Sequence, residues 1–313
     1  MTDTDYFCLD AFRGAIGVEG EDRQTFLQGL VSNDARKISA ARAVYNAFLT
    51  PQGKFLHDFC LVEAPLETTG PDGARYLLDP EAGRRADLIK RLSMYRLRSK
   101  VKIVDLAEQW VPVSFFGPGA LPKLGLGARA GEAKPFGVGV AFTDPRLPAL
   151  GARAFLPRGE AETLARDMGF TVATEAAYER HRIALGVPNG SRDLTPEKGI
   201  LLENGFDELA GVDWDKGCYM GQELTARTRY RGLVRKRLLP VRIEGRAPQP
   251  GAALMLGEVE AGEMKSVAAE GDLGLAMVRL EHLDRARSDG LVAGESRARP
   301  YVPDWMRLPE QVG

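Results

Sequence analysis

Apolar and polar positions follow two periods along this chain, and the order in which the periods change predicts an α+β protein. Ala15–Val18 is a short apolar run of strand character. Gly20-Glu21-Asp22 then opens a helix carrying Phe26, Leu27 and Leu30, with acids in its first turn, where the helix dipole favours negative charge. Val44–Thr50 and Lys54–Val62 are apolar runs parted by Pro51-Gln52-Gly53, and proline at the second turn position followed by glycine predicts a hairpin. Within Glu81–Arg96, Ala82, Ala86, Ile89 and Leu92 recur at helical spacing, with basic residues around the other face. Val101–Leu106, Val111–Phe116 and Arg153–Leu156 read as strands, and Gly117–Gly139 reads as loops. Glu160–Met168 predicts a short helix stopped by Gly169, and Thr174 caps another that ends at Gly186. Pro188–Gly205 reads as a loop and Gly221–Tyr230 as a helix.

After Arg231 the texture changes. Leu238–Ile243, Ala252–Leu256, Lys265–Ala268 and Leu273–Leu280 are strand-like pieces separated by Gly/Pro turns, which predicts a small β-barrel or sandwich. A boundary is expected near Gly232. The end of the chain, with Pro300, Pro303 and Pro309, is expected to be irregular.

Composition narrows the function classes. A length of 313 residues suggests two domains, or one compact core with appendages. Lys+Arg number 42 against 43 Asp+Glu, a net charge of -1 that excludes a polybasic nucleic-acid coat but leaves room for a local patch. No apolar stretch approaches the roughly 18 residues of a membrane helix, so no membrane is expected. The opening MTDTDYFCLD lacks the marks of a leader, and the reading is a cytoplasmic, reducing compartment. Cys8, Cys60 and Cys218 are odd in number and far apart, against a disulfide framework. His57, His181 and His282 are scattered, so no resident metal site is expected.

The densest chemistry lies in Asp215-Lys216-Gly217-Cys218-Tyr219-Met220-Gly221-Gln222-Glu223. A thiol between glycines, ahead of a helix start and two residues from a lysine, is placed to favour thiolate. The plainer reading is a small buried thiol in a glycine-rich turn. The second feature is a basic run, Arg227, Arg229, Arg231, Arg235, Lys236, Arg237 and Arg242, with no acid between Glu223 and Glu244. It reads either as a contact surface for phosphate or polycarboxylate, or as a solvated helix end and strand face. His57-Asp58 reads as one exposed and one inward strand residue. Asn33-Asp34 reads as a helix-ending turn.

Lys216–Glu223, KGCYMGQE, resembles the signature of the YgfZ family, folate-binding-type proteins of iron–sulfur cluster biogenesis related to the aminomethyltransferase (T protein) of glycine cleavage. Other blocks agree in order: FLQGLVSND over Phe26–Asp34, LTPQGKFLHD over Leu49–Asp58, RIALGVP over Arg182–Pro188, TARTRYRGLVRKRLLP over Thr225–Pro240, and Gly274–Leu280. The resemblance implies three sub-domains ringed around a central cavity. A discontinuous α/β folate-binding-type region would span residues 1–231, with an insert at roughly 50–115, and a β-barrel would span 232–313. It implies Cys218 as the key residue, with Lys216, Gln222 and Glu223 shaping its site. Asn33, Asp58, Arg182, Glu203 and Tyr219 would border tetrahydrofolate.

Two departures bear on the chemistry. Aminomethyltransferases carry a pair of aspartates on the hairpin, one of them catalytic, where this chain has His57-Asp58. Ala184 stands where they carry the acid that recognises the pterin, leaving Glu203 as its substitute. The implied function is an accessory factor for assembly or repair of mainly four-iron four-sulfur clusters, linked to tetrahydrofolate. Its implied partners are iron–sulfur assembly proteins and cluster-containing client enzymes. A folate-dependent aminomethyl or one-carbon transferase with Asp58 as base is the first alternative. A tRNA-modification factor binding RNA through the basic run is the second, although nucleic acid is not the partner the net charge favours.

Overall fold

The computed structural model describes residues 4–64 and 75–309, and among these described residues the strands form two open sheets and one closed barrel. The first sheet orders Val44–Leu49, Phe55–Glu63, Arg75–Leu78, Ile16–Glu19 and Lys102–Asp105. Two helices pack on it, α1 (Arg23–Gln28) and α2 (Arg85–Tyr95). Their apolar faces place Phe26, Leu27, Leu88 and Leu92 in one core with Ile16, Val18, Phe48 and Phe59. Each such side chain contributes about 1.5–3 kcal/mol on burial. The predicted hairpin is present: Gly53 takes φ +81 and its N–H donates to Thr50 O at 2.8 Å.

The second sheet orders Thr171–Val172, Tyr6–Leu9, Trp110–Phe116, Ala152–Pro157, Gly139–Thr143 and Ala133–Phe136. Gly117–Gly139 is therefore not all loop. It contains the helix Ala120–Lys123 and the edge strand Ala133–Phe136. Four residues are too few to establish a period, so the Gly/Pro content dominates the local signal.

The barrel closes in the order Lys236–Glu244, Leu273–Arg279, Val259–Val267, Ala253–Leu256, Leu291–Ala293 and Ser296–Pro300. Its last two strands carry little apolar periodicity. Ser296–Pro300 fills its inward positions with Ser296, Ala298 and Pro300, and Pro300 ends a strand rather than opening a tail.

The chain forms two compact units. One comprises Met1–Leu49, Leu56–Tyr178 and Leu209–Met220, and holds both open sheets. The other comprises Thr50–Phe55, Glu179–Glu208 and Gly221–Gly313, and holds the barrel. Asn33, Asp58, Lys216, Cys218 and Tyr219 belong to the first unit. Arg182, Glu203, Gln222 and Glu223 belong to the second.

Candidate functional site

The cysteine segment is zippered onto the segment that follows α1. Met220 N–H donates to Gly29 O at 3.0 Å, Asp213 N–H to Ser32 O at 3.0 Å, and Ser32 Oγ to Gly211 O at 2.5 Å. Gln28 Nε2 donates to Lys216 O at 3.0 Å, and Asn33 Nδ2 to Ala210 O at 2.7 Å. Lys37 pairs with Asp213. The centre of the zipper is Lys216. Its ammonium is buried and donates to three carbonyls, Gln28 at 2.8 Å, Val31 at 2.5 Å and Asn33 at 2.8 Å. It also lies 4.9 Å from the centre of the Tyr219 ring. Burial holds its pKa down to about 8, against the opposing pull of Asp34 and Asp213.

The Lys216 side chain is spent on the backbone. An ammonium has three N–H donors, and here backbone carbonyls take all three. Its role is to fix the loop. Between the anchors at Lys216 and Met220 the chain bows outward: Gly217 takes φ +89 with open space at its Cβ position, and Cys218 is exposed. The thiol makes no hydrogen bond among the described residues. The alternative of a small buried thiol is thus overturned for Cys218. It does describe Cys8 and Cys60, and burial pushes the Cys60 thiol well up.

The hairpin carboxylate is in the opposite condition. Asp58 is 2 % exposed, and both it and the 1 % exposed His57 are buried, contrary to the expected in/out alternation. The strand Phe55–Glu63 is covered on both faces, and each polar residue has a partner. Arg13 Nη2 donates to Asp58 Oδ2 at 2.9 Å, and the Tyr45 hydroxyl donates to the same oxygen at 2.8 Å. Burial pushes the Asp58 carboxyl up, but Arg13 and these hydrogen bonds outweigh it and hold it below the usual range. A carboxylate engaged in this way is not available as a base. His57 Nε2 lies 2.9 Å from Asp87 Oδ2, and burial, with Arg84 nearby, lowers its pKa to about 4.

Asn33 is nearly filled: Nδ2 also donates to Tyr45 O at 2.9 Å, and Oδ1 accepts from Asp34 N at 2.7 Å. Together with Lys37, Arg42, Tyr45, Asp213 and Trp214 it lines a cavity of about 340 Å³. Ala210 on its wall takes φ +51, a conformation that favours glycine.

In the second unit, Arg182 is a staple. Its Nη1 donates to Asp193 Oδ2 at 2.7 Å and to Val187 O at 3.1 Å, and its Nε to Glu179 Oε1 at 2.8 Å. Glu203 has its pKa raised by burial, opposed by Lys236, whose Nζ lies 3.8 Å away. Gln222 and Glu223 occupy the first turn of the helix Gln222–Tyr230, behind Gly221 at φ +79. The basic run is not one surface. Arg237 is buried and bonds to Leu202 O and Glu208 Oε1, each at 2.6 Å, while Arg229, Arg231 and Arg235 are exposed.

Residue-level reading missed Gln28, Ser32, Lys37, Asp213 and Trp214. Gln28 and Ser32 lie inside the FLQGLVSND block and Asp213 and Trp214 just ahead of KGCYMGQE, so the adjacency of those blocks was the available signal. Among the described residues, no group of three or more His, Cys, Asp or Glu could hold a metal ion. No described helix is long and apolar enough to cross a membrane.

Comparison with known proteins gives a consistent picture. The family profile of the CAF17 C-terminal β-barrel domain matches residues 235–308. The chain is 34% identical over 312 residues to the mitochondrial iron–sulfur cluster assembly factor IBA57 homolog of Neurospora crassa, covering 96% of this chain and 67% of that protein. It is 34% identical over 320 residues to mitochondrial IBA57 of Homo sapiens and 33% over 327 residues to that of Mus musculus, in both cases covering 96% of this chain and 84% of the relative. The glycine cleavage system aminomethyltransferase T from Bartonella henselae superposes with a TM-score of 0.74 at 16% identity, over 97% of this chain and 86% of that one. At that identity the likeness speaks for the fold.

Proposed function

Because the chain belongs to the IBA57 family of iron–sulfur cluster assembly factors, we propose that it presents Cys218 as a transient thiolate ligand to a cluster held by a partner protein. The targets are mainly four-iron four-sulfur clusters, during assembly or repair. The observation that carries this reading is the contrast within one short loop: a base clamped by Lys216, and a thiol left exposed. On binding, the thiol gives up its proton to solvent and its sulfur enters the coordination shell of an iron of the cargo cluster. One thiolate cannot hold a cluster, and Cys8 and Cys60 are buried, so the remaining ligands come from the partner. That partner is an iron–sulfur assembly protein, and the recipients are cluster-containing client enzymes.

We propose tetrahydrofolate as the ligand of the cavity beside this loop. Trp214 offers aromatic surface to a planar heterocycle, and Arg42 offers a cation to a carboxylate. Bound there, folate would supply a one-carbon acceptor amine. Aminomethyl transfer is the weaker reading, because Asp58 is committed to Arg13 and Tyr45. An RNA-binding role would do without Arg237, which is withdrawn into the interior, and rest on the exposed Arg227, Arg229, Arg231, Arg235, Lys236 and Arg242. Any effect on tRNA thiolation would follow from the cluster requirement of thiolating enzymes.

The test is a Cys218→Ala variant expressed in cells lacking the endogenous protein. Four-iron four-sulfur enzyme activity should stay at the level of the deletion. Full activity would refute the thiolate role.

A further inference from the structure

The C-terminal end of α2 carries a surface that the Cys218 chemistry does not use. Every residue from Ser93 to Arg98 is exposed: Met94 stands at 66%, Leu97 at 88%, and Tyr95, whose ring meets that of Phe48 edge-on at 6.2 Å, at 38%. Single exposed apolar residues are ordinary. Three large ones within four positions form a patch that calls for an occupant. Arg96 and Arg98 interleave with them, and neither makes an ion pair among the described residues.

Leu97 is also displayed at a backbone cost. It takes φ +43 immediately after the helix C-cap Arg96, the position where a helix ordinarily places glycine. With its side chain in solvent, the leucine gains little within the fold to offset that strain. The loop that holds it is firmly tied. Ser99 N–H donates to Arg96 O at 2.8 Å and Lys100 N–H to Asp22 Oδ2 at 2.7 Å. Gly20, at φ +105, comes so close that a Cβ there would lie 2.1 Å from Lys100 O. Leu97, Arg98, Asp22, Thr25 and Phe26 line a shallow depression at this point.

The patch and the thiol loop grip opposite ends of one helix. Asp22, which fastens Lys100, precedes α1; Gln28 and Gly29, which fasten Lys216 and Met220, end it. A helix of six residues is about 9 Å long. We infer that residues 94–98 form the docking face for the protein that carries the cluster to Cys218, and that this partner offers an acidic segment containing an apolar residue. The inference rests on the function proposed above. Aliphatic Met94 and Leu97 give nothing to nucleic acid, whose recognition uses cations and stacking planes. An apolar centre flanked by arginine suits a protein hot spot. Three side chains bury too little area for stable attachment to a bilayer.

The test uses the full chain and a short synthetic peptide that alternates Asp or Glu with Leu and Phe, followed by fluorescence anisotropy. Single-stranded RNA and phosphatidylserine vesicles serve as the competing probes. The peptide should bind wild type and Cys218→Ala equally, and Leu97→Gly and Arg96→Glu/Arg98→Glu at least about tenfold more weakly. Leu97→Gly should at the same time raise Tm by roughly 2–4 °C, because the left-handed conformation suits glycine. Opposite signs in binding and stability are what a merely structural leucine would not give. Equal binding to all variants, a Leu97→Gly variant that loses both stability and binding, or binding of only RNA or vesicles would overturn the inference. A fully active Cys218→Ala in cells, with the peptide result intact, would refute the thiolate role and leave the docking face standing.

Discussion

Asp58 and Cys218 lie in the same unit and have had opposite fates. Asp58 stands on the hairpin, enclosed, ion-paired with Arg13 and hydrogen-bonded by Tyr45. Cys218 stands at the tip of a loop whose base is immobilised and whose thiol is exposed. Ionisable groups at the hairpin have become structure, and the nucleophilic atom left free is on the surface. The fold is shared with an aminomethyltransferase, and within it the hairpin carboxylate is enclosed while the Cys218 thiol is exposed.

The sharpest way to break this contrast is to remove the two groups in turn. Cys218→Ala should abolish support of cluster enzymes while leaving the urea midpoint unchanged, because an exposed side chain without a hydrogen bond carries little stability. Asp58→Ala should do the reverse. It leaves Arg13 buried beside a lost partner, at a cost of about 3–5 kcal/mol in urea unfolding. An Arg13→Met/Asp58→Leu pair should recover much of that loss. If Asp58→Ala were stable but inactive in cells, the carboxylate would be functional after all.

Lys216→Met sharpens the other side. It strands three buried carbonyls and should cost about 2–3 kcal/mol. Hydrogen exchange of residues 213–220 should rise more than that of the barrel. Lys216→Met retaining full protection there would mean that the loop is held by its other bonds.

The last effect, confined to acid pH, is a pH dependence from the hairpin. His57 has a folded pKa near 4, below its unfolded value of 6.5. Its contribution is therefore present above pH 6.5 and is lost as the pH falls from 6.5 towards 4, where the unfolded chain binds the proton first. His57→Gln should flatten the stability profile in that window, measured by urea midpoints at successive pH values. A profile unchanged by the substitution would show that His57 is not buried as a neutral ring.

Much of this molecule was legible along the chain. The hairpin followed from Pro51-Gln52-Gly53, α2 from its helical apolar spacing, and the major barrel strands from short apolar runs between Gly/Pro turns. These signals are local: period, turn chemistry and caps act within a few residues. Cys218 was found for the same reason, since KGCYMGQE is contiguous. The strand Ala133–Phe136 and the last two barrel strands were not legible, because their partners, rather than their own composition, make them strands.

By itself, the amino-acid sequence determined the α+β class, the family signature and which cysteine to watch. Only the tertiary structure decided which charged side chains are free. Lys216 looked like the neighbour of a thiol two residues away, and it serves carbonyls of residues 28, 31 and 33. Asp58 looked like a base, and Arg13, far off in sequence, neutralises it. A buried polar group takes whichever partner the fold brings within hydrogen-bond distance, because leaving it unpaired costs more than almost any local preference can return. That choice is made across the chain, where periodicity carries no information.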